Sequence, residues 1–202
     1  MAETAVIMEL NGAGGVKTSL ASKVARLCTE DSVEPLLNHP CRIPASGFNH
    51  AFRKTWCLRI TGEFNQVRDI YAYGDGEFAN DWGLSPANGG GLFVGNMDTG
   101  DNGLPIDVVL HGANEYAVAT GIIGTTGHSI EDAVNGHPYY KDQSTPVKNF
   151  DECLADAPHL VDSGPYTDDF YSKALVASAK IPHQAAYGKK TAKSITWIYN
   201  IF

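Results

Sequence analysis

The chain has 202 residues, a formal net charge of −8, 43% hydrophobic and 19% charged residues. That balance supports a buried core and excludes a disordered chain. The acidic charge argues against a nucleic-acid-binding surface, which is normally basic. In chain order, the first strand is "TAVIMEL" (4–10), followed by the Gly-rich "NGAGG". Residues 17–27, "KTSLASKVARL", are ambiguous, because Leu20, Val24 and Leu27 fit a helical stripe between strand-like neighbours. "TWCLRITG" (55–62) and "QVRDIYAYG" (66–74) read as two hairpin-like strands flanking "EFN", with Val67, Asp69, Tyr71 and Tyr73 sharing one parity. Further strands are predicted at "GLFVG" (91–95), "IDVVLH" (106–111) and "EYAVATGII" (115–123). "SIEDAVNG" carries helix signals, with Ser129 as N-cap and Gly136 as stop, and "FDECLAD" suits one helical turn. Two long strands close the chain, "YSKALVASAKI" with Leu175, Ala177, Ala179 and Ile181 on one side, and "KSITWIYNIF" with Ile195, Trp197, Tyr199 and Ile201 on one face. Their direct pairing is left open, because sandwiches often cross between sheets.

Short period-two segments punctuated by 21 glycines and 10 prolines predict an all-β fold. The expectation is an antiparallel β-sandwich, Ig-like or jelly-roll-like, with long loops and one or two short helices, in a single domain spanning 1–202. No apolar run of about 18 residues is present, so no membrane span is expected. "MAETAVIMEL" lacks a basic region followed by a long apolar stretch, which predicts synthesis in a cytoplasm without a secretory signal. Cys28, Cys41, Cys57 and Cys153 form no C-x-x-C pair, and a bridge between Cys28 and Cys41 would require an oxidising compartment.

The motifs that suggest chemistry each fail a spacing test. "NGAGGVKTSLA" approaches a phosphate-binding loop but lacks the glycine before Lys17, and no apolar strand ending in a magnesium-binding Asp follows. "DTGDNGLPID" (98–107) matches part of a calcium loop but has Val109 where the bidentate Glu belongs. His39, Cys41, His50 and Cys57 have no common zinc spacing. "TGHSIED" offers His128, Ser129, Glu131 and Asp132 without a nucleophile elbow. A non-enzymatic protein without metal or cofactor is therefore expected. Trp82, in "FANDWGLS", is the leading contact residue, since large rings in loops anchor interfaces, and Tyr139 and Tyr140 in "GHPYYKD" come next.

The stretch 26–76 is the least generic part of the chain. It carries a Cys-Thr pair, Cys28 and Thr29, and further on an "IP.SG" pattern, Ile43, Pro44, Ser46 and Gly47. An aromatic-basic strand with Trp56 and a hairpin with Gly62, Phe64, Asn65, Val67 and Ile70 follow. In this the chain resembles a group of phage virion proteins, as does its ending, with a "P..A..G" turn before the "T..I.W.Y" strand. The resemblance implies a virion structural protein of the capsid decoration (cement) type. Its partners would be the major capsid protein or another virion protein, and further copies of itself. A trimer would suit threefold lattice positions. The terminal strand reaching Phe202 is the candidate for packing across subunits. A tail or fibre component, and a carbohydrate-binding module or glycan hydrolase on the same sandwich with Trp82, Tyr139 and Tyr140 at the sugar, are the alternatives.

Overall fold

A computed structural model describes residues 3–11, 16–21, 23–27, 41–51, 54–97, 148–187 and 192–202. Among these residues ten strands form two antiparallel sheets, as an all-β sandwich requires. They are β1 (Thr4–Asn11), β2 (Val16–Ser19), β3 (Phe48–His50), β4 (Lys54–Thr61), β5 (Val67–Gly74), β6 (Gly91–Met97), β7 (Lys148–Asn149), β8 (His159–Asp162), β9 (Phe170–Pro182) and β10 (Ile195–Ile201). The larger sheet has the order β2-β1-β4-β9-β6-β7, with β3 also pairing β9, and the smaller is β10-β5-β8. The sole α-helix among the described residues is the single turn α1 (Phe78–Asp81), and none there is long and apolar enough to cross a membrane.

The chain changes sheet at two places the sequence reads as hairpins or leaves open. β4 belongs to the larger sheet and β5 to the smaller, so the "TGEFNQ" connection is a corner and not a hairpin turn. At the corner Gly62 has φ 115, and Phe64 packs with Ile60 and Phe170 in the core between the sheets. Such a corner lets both strands bury one face against each other instead of sharing an edge. The two closing strands separate in the same way, β9 into the larger sheet and β10 into the smaller. The described residues of 17–27 are not helical. β2 ends at Ser19, and Leu20, Ala25 and Leu27 pack on the core while Val24 is 71% exposed, which breaks the supposed stripe. "FDECLAD" supplies a 3-10 turn at Phe150–Glu152. The predicted strands at 106–111 and 115–123, the helix at 129–136 and Cys28 lie outside the described residues.

Between the sheets, Trp56, Leu92, Val94, Leu175 and Ala177 meet Ala72, Val161 and the half-buried Trp197. β9 also buries its opposite side, since Ala174 and Val176 pack with Met8, Leu10 and Cys57. The one-sided alternation predicted for this strand is therefore incomplete: from Ala174 to Ala179 every residue is buried. α1 is held by Asp151, whose carboxylate accepts the amide N–H of Phe78 at 2.6 Å and that of Ala79 at 3.1 Å. These bonds satisfy two donors that a helix start leaves open.

Cys57 and Cys153 are both buried. Burial pushes the Cys57 thiol up to about 12 and raises that of Cys153, against the opposing pull of Lys17 on the first and Lys148 on the second. Only a thiolate attacks alkylating reagents. Peptide mapping after alkylation at pH 8 is therefore expected to find both residues unmodified in the native protein and modified once urea is added. Native-state labelling of Cys57 would contradict this packing.

Candidate interaction surface

The smaller sheet buries one face and leaves the other to solvent, and a β-bulge decides which residues go where. Strict alternation from Val67 would put Val67, Tyr71 and Tyr73 on a common side. Asp69, however, adopts a left-handed conformation with φ 56, and the pairing with β10 slips there by one residue. Asp tolerates this region better than most residues, and the extra residue reverses the parity beyond it. Val67, Ile70 and Ala72 accordingly face the core, while Arg68, Tyr71 and Tyr73 turn outward. The Asn200 side chain donates to the Asp69 carboxylate at 3.2 Å and holds the bulge to the neighbouring strand.

The outward residues form rows across the sheet. Ile198 lies opposite Tyr71, and Tyr71 opposite Leu160; Thr196 lies opposite Tyr73, and Asn200 opposite Arg68. Ile198 is 39% and Leu160 41% exposed, large for aliphatic side chains placed side by side with a tyrosine. Phe202 extends the row at 53% exposure, with the Arg68 guanidinium 4.3 Å from its ring centroid. Its backbone is fixed: Phe202 N–H donates to Gln66 O, and its carbonyl accepts from Asn65 and Gln66. The arrangement is an apolar-aromatic surface with phenol hydroxyls and one guanidinium, whose Nε lies 3.5 Å from the Asp69 carboxylate. Interface cores are enriched in these residue types.

The predicted contact residues do not come together. Trp82 closes α1 and is half-buried, stacked edge-on against Phe78 at 5.2 Å and packed on the core. Phe202 lies on the exposed face just described. Tyr139 and Tyr140 lie outside the described residues, as do the 98–107 loop, His39 and the "TGHSIED" group. Of the near-miss phosphate loop, Lys17 sits on β2 with its ammonium 5.0 Å from the Tyr171 ring centroid. No group of three His, Cys, Asp or Glu in metal-holding geometry occurs among the described residues. The outer side of the larger sheet has an open depression of about 340 Å³ lined by Thr4, Val6, Met8, Ser19, Arg59 and Thr61.

Sequence reasoning missed Arg68, Tyr71, Tyr73, Leu160 and Ile198. The signal within "QVRDIYAYG" is Asp69, a residue depleted in strands and tolerant of the bulge conformation. No protein family, curated protein or solved structure matches the chain. Fold and surface together define an all-β sandwich with one solvent-facing sheet.

Proposed function

We propose that this protein is a non-enzymatic virion structural protein, a capsid decoration protein that binds across neighbouring capsid subunits as an oligomer. The observation that carries the reading is the outer face of β10-β5-β8, where the exposed Ile198 and Leu160 flank the half-buried Tyr71 in one row beside Arg68 and Phe202. Such a face suits docking onto another protein, because tyrosine and arginine supply most of the energy at interface centres. The capsid as partner rests on the resemblance of residues 26–76 and of the closing strand to phage virion proteins. An oligomer would multiply several modest contacts into tight attachment.

Co-sedimentation with capsids lacking this protein tests the reading. Binding at a stoichiometry fixed by the lattice is expected, and Leu160→Glu, which puts a charge in the middle of the face, should weaken it by at least about tenfold. Wild-type protein that ignores capsids, or Leu160→Glu protein that binds them undiminished, would sink it. If the protein instead retains glycans and loses them in Tyr71→Ala, the sugar-binding alternative takes its place.

A further inference from the structure

A sheet edge offers unpaired backbone N–H and C=O groups to any other strand, and folded proteins protect it with short strands, charges, proline or bulges. The described edges of this molecule mostly follow that rule. β2 has four residues and carries Lys17, β7 has two and carries Lys148, β3 has three, and β8 has four with Asp162 among them. β10 is different. It is the outer strand of its sheet, runs seven residues, and from Ser194 to Phe202 contains no charged residue and no proline. The bulge beside it lies in β5 at Asp69, so β10 keeps its regular pleat. Among the described residues no strand pairs with its far edge.

We infer that β10 is the seam of a twofold dimer, in which residues 194–202 of two copies pair antiparallel about Ile198 and join the smaller sheets into one of six strands. The strand is self-complementary in that register. Ile198 meets Ile198 of the second copy, Trp197 meets Tyr199, Ile195 meets Ile201, and Thr196 meets Asn200. From Ile195 to Ile201 every residue falls opposite one of its own character, and only the end pair, Ser194 with Phe202, is mixed; aromatic and β-branched cross-strand pairs are those that stabilise sheets. The pairing also covers what one copy leaves open. Trp197 and Tyr199 face the core yet are only half-buried, and Ile201, of the same parity, is 41% exposed. Electrostatics favours this edge for self-association. In a chain of net charge −8 it is an uncharged strip, so two copies meet there without like charges opposed. An antiparallel pair about one residue has twofold symmetry and closes on itself.

This inference rests on the oligomeric part of the reading above and is independent of the capsid. Analytical ultracentrifugation of the isolated protein is expected to show two associated chains. Ile198→Lys, which sets two ammonium groups face to face, should raise the dimer dissociation constant on the order of 100-fold. Because Ile198 is partly exposed, the variant should keep the wild-type far-UV spectrum, which separates loss of pairing from loss of fold. Oxidative cross-linking reads the register: Ile198→Cys should give a covalent dimer absent from wild type. Thr196→Cys alone should give none, whereas Thr196→Cys combined with Asn200→Cys should. A monomer, a trimer, or a dimer whose chains are not joined through Ile198→Cys would each overturn the inference, whatever the capsid experiment shows.

Discussion

Replacing Glu9 with leucine is expected to destabilise the fold by about 3–5 kcal/mol, the usual cost of breaking a fully buried ion pair from one side. Glu9 on β1 and Lys54 on β4 are 0% and 1% exposed, with Lys54 Nζ 2.8 Å from one carboxylate oxygen. The other oxygen accepts the indole N–H of Trp56 at 3.0 Å. All three face the space between the sheets, where Trp56 is part of the apolar core. Removing the carboxylate leaves a desolvated ammonium without its 2.8 Å counter-charge and an indole N–H without its acceptor. Lys54→Met takes the counter-charge from the buried carboxylate, which keeps the Trp56 N–H. The double replacement, Glu9→Leu with Lys54→Met, removes both charges and fills the space with apolar atoms. It should cost at least about 2 kcal/mol less than the sum of the two single changes, because the penalty of a lone buried charge disappears. Urea denaturation of the four proteins measures this coupling. A double variant whose cost equals the sum would show that the two groups act separately.

That ion pair also marks where reading the chain alone stops. Six strands are legible as short apolar, β-branched and aromatic runs bounded by turn residues, and period two is clear only where a sheet has one dry face. Glu9 in "VIMELN" and Lys54 before "TWCLRI" look like ordinary solvated strand charges. Their pairing depends on β1 lying beside β4 with Glu9 opposite Trp56, a contact across more than forty residues. Alternation fails in β9 for the opposite reason: a strand covered on both faces has no polar side to show. The short β3 and β8 carry too few residues for any period to emerge. The interaction face was hidden by one residue, since the left-handed Asp69 reverses the parity of everything after it in β5. The polar neighbours of Trp82 make it look like a loop anchor, yet α1 turns its ring back onto Phe78.

The two sheets divide the work of the fold unequally. The larger one buries residues on both faces, inward against the smaller sheet and outward around Met8, Leu10, Cys57, Ala174 and Val176. The smaller one has a single dry face, so its other side and its long edge strand remain for contacts. The proposed capsid docking and the proposed self-pairing would therefore use the same three strands without competing. Leu160 on β8 lies on the face, at the opposite edge from the seam on β10.

Acidification is expected to weaken the fold between about pH 6.5 and 4 through His159, a residue of the small sheet that reaches across to the large one. His159 on β8 is 1% exposed, with Nε2 2.7 Å from Oδ1 of Asn96 on β6. The Asn96 amide nitrogen donates to Leu160 O at 2.8 Å, so its oxygen is the acceptor and His159 Nε2 carries the proton of a neutral ring. Burial, with a smaller contribution from the Lys148 charge, lowers the imidazole to about 4. The unfolded chain binds a proton near pH 6.5, whereas the folded one resists it until about 4. Above 6.5 neither state is protonated and the full stability is present. Below 6.5 the unfolded state gains a proton the native state lacks, and the loss accumulates to about 3 kcal/mol as pH falls through the folded value. For a domain of this size that is roughly 6–12 °C in melting temperature. His159→Gln keeps an N–H to give Asn96 and has no ring to protonate. It should start less stable at pH 7, from imperfect packing, and then lose about 3 kcal/mol less than wild type on the way to pH 4. Thermal melts of both proteins across that range decide the matter: parallel acid limbs would mean that His159 is not the group whose protonation opens the sandwich.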